Sequence, residues 1–174
     1  VKPQDVLDFW FGAPGSAEFG QARALWFRKD SDFDATIAQT FGPTVEAALA
    51  GQLRDWDAAP HASLARLIVL DQFTRNMFRD TPKAFAGDAL ALPAASVMVE
   101  RGFDAALPPV QRGFVYLPFE HAEDLAQQQR CVALYTALFG SRFALTSSDP
   151  FAQALGLARA PVDSMLVFHL VFGR

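Results

Sequence analysis

The sequence is poor in cysteine, in clustered basic residues and in long apolar runs, and each scarcity excludes a class of protein. Its single cysteine, Cys131, cannot form an internal disulfide, which predicts a reducing, cytoplasmic compartment. Lysine and arginine are scattered and the formal net charge is −4, so we expect no nucleic-acid partner. The apolar stretch from Met165 to Phe172 is far shorter than the roughly 20 residues of a membrane span, so we expect no membrane partner.

The common cofactor motifs are missing as well. The chain contains no GxGxxG, no GxxxxGK[ST] and no GxSxG. Its histidines, at 61, 121 and 169, lack the spacing of metal ligands, and Cys131 has no second thiolate nearby in sequence. The sequence therefore predicts neither a cofactor nor a bound metal.

The chain is rich in apolar residues at helical spacing. Of its 174 residues 51% are hydrophobic and 17 are phenylalanine, enough for one sizeable core, so we expect residues 1–174 to form a single domain. No segment of useful length alternates with a period of two, which argues against a sheet. The predicted architecture is all-α, with antiparallel helical hairpins joined by short Gly/Pro loops.

Proline and glycine set the predicted helix boundaries. The predicted helices are Pro3 to Phe11, a second bearing Phe33, Ile37 and Phe41 and interrupted or bent at Gly42 and Pro43, a third from about Ser63 to Arg79, a fourth from Pro82 towards Arg101, an uninterrupted helix from Phe119 to Phe139, and a last stretch from Pro150 broken at Pro161.

The stretch from Leu64 to Arg79 carries the first polar constellation. Its polar side chains share one side of the predicted helix: Asp71, Gln72, Arg75, Asn76 and Arg79. Leu64 and Ile68 lie on that same side, so an apolar stripe turns polar halfway along. This pattern predicts a helix enclosed on most sides, with a half-buried polar network.

Two interpretations of this constellation stay open. In the first, the charges form a structural network that holds neighbouring helices in register, and removal of one buried partner costs about 3–5 kcal/mol. In the second, Arg75 and Arg79, one turn apart and flanked by amide donors, bind a small carboxylate or phosphate in bidentate fashion.

The second constellation follows Pro118. His121, Asp124 and Gln128 fall on one face at i, i+3 and i+7 if the helix is continuous, and Glu123 lies beside them. A histidine beside carboxylates can act as a general acid or base near neutral pH. It can equally be a structural, hydrogen-bonding histidine, and acids at a helix start are explained in part by the macrodipole.

Several strings resemble a bacterial family known as domain of unknown function 924, regarded as tetratricopeptide-like. The matching strings are DFWF (8–11), WF (26–27) with FD (33–34), LDQFTRNMFR (70–79), AFAGDALAL (84–92) and LPFEHAEDLAQQ (117–128). The resemblance implies an all-α fold, either a tetratricopeptide-like superhelix or a bundle, and no assigned reaction.

The chain departs from that family pattern in two places. The family usually has proline at the position of Thr74, so we expect this helix to lack a proline kink there. The family also commonly ends in a histidine-bearing helix, whereas this chain has Met165 at the corresponding position and ends at Arg174.

The expected function follows from fold analogy. Tetratricopeptide-like folds commonly present a concave surface to a protein or peptide partner, so an interaction module is the first hypothesis. The alternative is a small-molecule enzyme or anion-binding protein that uses Asp71, Arg75, Arg79, His121 and Glu123 in one pocket. The two hypotheses differ in whether Arg75 and His121 meet in a shared cleft.

Overall fold

The computed structural model describes residues 1–139, and over this range the protein is all-α with no β-strand, as predicted. Its helices are α1 (Pro3–Phe11), α2 (Ser31–Leu49), α3 (Pro60–Ile68), α4 (Thr74–Met77), α5 (Asp88–Glu100), α6 (Pro109–His121) and α7 (Leu125–Phe139). A π-helical turn, Val69–Phe73, joins α3 directly to α4. Short 3₁₀ turns lie at Ala24–Trp26, Arg54–Ala58, Pro82–Phe85 and Asp104–Ala106. The predicted stretch from Pro150 onwards lies outside the described residues.

An aromatic core holds the helices together. Trp10 of α1 is fully buried and packs against Trp26 and Phe114 at ring-centroid distances of 6.0 and 5.8 Å. Helix α3 packs against α1, α5 and α6, while α2 covers the π-helical turn and α4. The segment from α3 to α4 is therefore enclosed on several sides, which is what its mixed apolar and polar stripe predicted.

Proline does not interrupt the second helix, although the sequence pattern predicts an interruption or bend at Gly42 and Pro43. Helix α2 runs through Pro43 without interruption, and α5 contains Pro93 in its interior. A proline inside a helix lacks its own N–H donor and crowds the carbonyl four residues earlier, and it can be tolerated when packing supports the flanking turns. For α2 that support includes Phe41 and Val45, which are buried on either side of the proline.

The predicted uninterrupted helix from Phe119 to Phe139 is wrong. Pro118 is an interior residue of α6, which ends at His121, and Ala122 is extended at φ −67° and ψ 129°. Helix α7 then starts under an aspartate cap, because Asp124 Oδ1 accepts a hydrogen bond of 2.9 Å from the backbone N–H of Gln127. His121 consequently lies at the C-terminal end of one helix instead of the first turns of another.

Within residues 1–139, no helix combines the length and hydropathy required to cross a membrane.

Candidate functional site

The candidate site is built around Asp71, which lies in the π-helical turn between α3 and α4. Such single turns inside α-helices are frequent at functional sites because the extra residue displaces side chains from the regular helical positions. Thr74 lacks the ring of a proline, yet the segment immediately before it, Val69–Phe73, still departs from regular α-helical geometry. The Oγ1 of Thr74 donates a 2.7 Å hydrogen bond to the carbonyl oxygen of Leu70 and so partners a backbone group within the turn.

The carboxylate of Asp71 is almost completely enclosed, with 1% of the residue exposed. Its Oδ1 lies 2.8 Å from His121 Nδ1 and 3.1 Å from Arg75 Nη1, and its Oδ2 accepts a 2.6 Å hydrogen bond from Gln72. Burial acts to raise the pKa of Asp71, but the charges of His121 and Arg75 and the hydrogen bonds from His121 and Gln72 outweigh it. The pKa of Asp71 is therefore lowered, and the group is ionised at neutral pH.

His121 presents one ring nitrogen to Asp71 and keeps the other available. An ionised carboxylate can only accept, so Nδ1 carries the proton, and Nε2 bears the free lone pair in the neutral imidazole. Nε2 makes no hydrogen bond to any residue between 1 and 139, and the side chain is 16% exposed. This is the arrangement of a general base oriented by a carboxylate.

Glu120 is the functional candidate that the sequence pattern did not single out. Its Oε2 is buried and has no hydrogen-bond partner among the described residues. Burial, together with the nearby Asp71 charge, raises the pKa of Glu120 to about 9 against the opposing effect of Arg75. The group is therefore a protonated carboxylic acid at neutral pH. Only the knowledge that α6 continues through Pro118 would have distinguished Glu120 from the exposed Glu123.

The two predicted arginines, Arg75 and Arg79, each pair with a different carboxylate. Arg75 donates to both carboxylate oxygens of Asp88 at 2.8 and 3.0 Å. Arg79 donates in the same bidentate manner to Asp34 at 2.7 and 3.0 Å, and Asn76 adds a 2.7 Å hydrogen bond to that residue. Both guanidinium forks are occupied by carboxylates of the protein itself. Arg79 and Asn76 connect α4 and the residues that follow it to α2 through Asp34. Arg75 lies next to Asp71.

The remaining predicted residues lie on the segment after α6. Glu123, Asp124 and Gln128 are exposed. Asp124 caps α7, and Gln128 donates a 3.1 Å hydrogen bond to the carbonyl oxygen of Ala122. They do not share a helix face with His121, because helix α6 ends at His121 and Ala122 is extended. Among residues 1–139, no group of three or more His, Cys, Asp or Glu side chains is arranged to hold a metal ion.

Replacing Glu120 by glutamine should flatten the pH dependence of stability. Because its folded-state pKa of about 9 exceeds its ordinary 4.5, the native protein holds a proton that the unfolded chain releases between these values. The free energy of unfolding should therefore fall as pH rises from 5 to 9, by up to about 1.4 kcal/mol per pH unit from this group. Urea unfolding of the wild type and of Glu120→Gln across that range measures the difference in slope.

The exposed neighbour Glu123 offers the matched control for this measurement. Glu123→Gln makes the same substitution three residues away, at an exposed position. Its stability profile should keep the slope of the wild type. Identical slopes for wild type and Glu120→Gln would show that Glu120 is ionised in the folded protein.

The family relationship of the chain can be read from its sequence and from its fold. Residues 6–160 match a family described as bacterial protein of unknown function (DUF924). The chain belongs to this family. A solved structure of a protein of unknown function from Agrobacterium tumefaciens is 34% identical to this chain, with a TM-score of 0.71. The alignment covers 99% of this chain and 84% of that one. The family match over residues 6–160 confirms the predicted resemblance.

Two curated enzymes match shorter parts of this DUF924 chain. One is beta-methylmalyl-CoA dehydratase of Chloroflexus aurantiacus, 67% identical over 54 residues. The other is mesaconyl-CoA hydratase of Cereibacter sphaeroides, 62% identical over 42 residues. The matches cover 31% and 24% of this chain, and the chain spans only 15% and 12% of the lengths of those two enzymes.

These relatives overturn the first functional hypothesis. A protein or peptide interaction module was expected from fold analogy alone, and both relatives are named as enzymes acting on small acyl-CoA compounds. The expectation of an interaction module is therefore wrong. Helical hairpins support many unrelated functions, so a fold does not determine what its polar groups do.

Proposed function

We propose that the protein is a small-molecule enzyme that performs acid–base catalysis at the polar centre formed by Asp71, Glu120 and His121. The observation that carries this proposal is the 2.8 Å contact between His121 Nδ1 and Asp71, which leaves Nε2 free to take a proton. In this role Asp71 orients the imidazole and stabilises its charged form. The C-terminal end of α6 favours the same positive charge.

The reaction class proposed for this centre is the addition or removal of water. In a dehydration, a base removes a proton from carbon, the released electron pair forms the C=C bond, and the C–O bond breaks. The leaving hydroxide takes a proton from an acid and departs as water. His121 can serve as the base, and Glu120, whose pKa of about 9 keeps it protonated, can serve as the acid. The names of the two curated relatives, a dehydratase and a hydratase, support this choice.

Substrate would approach from the side of Arg75 and Phe85. Arg75 is 21% exposed in its side chain, and Phe85 is 58% exposed with its ring centroid 5.6 Å from the guanidinium carbon. An exposed aromatic ring beside an otherwise enclosed polar centre offers apolar contact for an acyl chain. We also propose that the protein is cytoplasmic, that it forms a single domain and that its helices form a tetratricopeptide-like superhelix.

Replacing His121 by asparagine should abolish turnover without unfolding the protein. General base catalysis by a positioned side chain contributes about 10²–10⁴-fold, so kcat should fall by that factor. The measurement follows the enoyl absorbance of a panel of β-hydroxyacyl-CoA and enoyl-CoA thioesters. The exposed His61 provides the control, because His61→Asn should retain the rate of the wild type.

Two results would contradict the proposal. Turnover of none of the thioesters by the wild-type protein would remove the hydratase assignment. Full activity of His121→Asn would remove His121 as the base. Thermal unfolding of each variant, measured in parallel, separates lost catalysis from lost structure.

A further inference from the structure

A groove lies away from the Asp71 centre, between α1, the loop that follows it and the first residues of α3 and α6. It has a volume of about 210 Å³. This volume is below the range of about 300–1,000 Å³ that is usual for drug-sized ligands, so the groove suits a compact molecule. The groove contains none of the residues of the proposed catalytic centre.

The loop that closes the groove depends on Gly12. Its φ of 87° lies in the left-handed region, and a Cβ there would be 2.8 Å from the backbone nitrogen of Phe19. Glycine thus lets the loop fold back over the end of α1. Phe19 remains 47% exposed at the edge of the groove, and Leu7 and Phe11 form part of its apolar wall.

Two side chains of the groove, Asp8 and Gln111, each have an oxygen atom without a hydrogen-bond donor among residues 1–139. Gln111 is only 8% exposed, yet its Oε1 is buried without a hydrogen-bond partner among residues 1–139. Among the described residues that line the groove, Asp8 is the only Asp, Glu, Lys or Arg, and His61 also lies in the lining. Its Oδ1 accepts a 2.6 Å hydrogen bond from Gln4, and its Oδ2 has no hydrogen bond in the described part of the chain. A buried acceptor left unpaired costs about 1–3 kcal/mol, so a donor bound there would be favoured.

We propose that this groove binds a small apolar primary amine in its protonated form. An ammonium group has three donors and a positive charge, which match the Gln111 acceptor and the Asp8 carboxylate. The apolar body of the ligand would contact Leu7, Phe11 and Phe19. The aromatic rings also favour a cation nearby.

Titration with isoamylamine at pH 7, followed by amide chemical shifts, tests this proposal. We expect saturable shifts at Leu7, Phe19 and Gln111. Isoamyl alcohol, which is neutral, should bind at least tenfold more weakly, and the anion 4-methylpentanoate should not bind. The shifts should not extend to His121, which separates this site from the proposed catalytic centre.

Variants of Asp8 and Asp5 complete the experiment. Asp8→Asn should raise the Kd for isoamylamine at least tenfold, whereas Asp5→Asn, an exposed acid on the same helix that does not line the groove, should leave it unchanged. Gln111→Leu removes the buried acceptor and should also weaken binding. No saturable binding to the wild type, equal binding of the alcohol, or an unchanged Kd in both Asp8→Asn and Gln111→Leu would each overturn the proposal.

Discussion

Replacing Gly87 by alanine is expected to destabilise the protein by about 3 kcal/mol, the upper part of the range for overpacking. A Cβ on Gly87 would lie 2.8 Å from the carbonyl carbon of Leu70 and closer still to its oxygen. Both neighbours are backbone atoms, so no side-chain rotation can relieve the clash. Urea unfolding of the wild type and of Gly87→Ala measures the loss.

Gly42 is the matched control for that substitution. It lies inside α2, and the nearest atom to an added Cβ is the terminal methyl of Met77 at 3.8 Å, an ordinary contact distance. Gly42→Ala should change the free energy of unfolding by less than about 1 kcal/mol, because the backbone entropy that alanine saves in a helix opposes the restriction that Pro43 places on a preceding residue with a Cβ. If both alanine variants were equally stable, the close approach of Gly87 to the π-helical turn would be refuted.

Replacing Asp71 by alanine is expected to cost about 3 kcal/mol of unfolding free energy. Loss of one partner from a buried charged network typically costs about 3–5 kcal/mol. The lower figure applies because Arg75 keeps its bidentate pairing with Asp88 and is partly exposed. The pKa of Asp71 is lowered, so its contribution is present above pH 3.8 and is lost as pH falls through the lower, folded-state pKa.

Denaturant unfolding at pH 7 and pH 3 measures both parts of this expectation. The difference between wild type and Asp71→Ala should shrink in acid. Asp55→Ala, at an exposed position in a 3₁₀ turn, should stay within about 0.5 kcal/mol of the wild type at both pH values. A cost for Asp71→Ala as small as that of the control would show that its contacts contribute nothing to stability.

Periodicity and composition predicted the all-α fold and the polar face of the segment from α3 to α4. They did so because the spacing of apolar and polar side chains along a helix reflects which of its faces are buried. The partners of that face could not be predicted in the same way. Asp34 and Asp88 meet Arg79 and Arg75 only after α2 and α5 pack against this segment.

The boundary between α6 and α7 shows a second limit. The sequence pattern predicts a helix start at Pro118, because the first turn of a helix is a common position for proline, but Pro118 is buried inside α6. The signal that marks the true boundary is local and was present: Asp124 followed three residues later by Gln127, whose backbone N–H it caps. The protonated state of Glu120 depends on tertiary burial, so no local pattern could have predicted it.

The π-helical turn also fixes the angular phase of everything that follows it. Successive residues of a helix are rotated by about 100°, so a single additional residue turns the downstream side chains by that amount relative to those upstream. In this protein the π-helical turn that causes this rotation lies between Leu64, which faces the core, and Arg79, which reaches Asp34 on α2. Deleting one residue from Val69–Phe73 would leave this segment helical and equally hydrophobic. The deletion would nevertheless direct the side chain of Arg79 away from the carboxylate of Asp34.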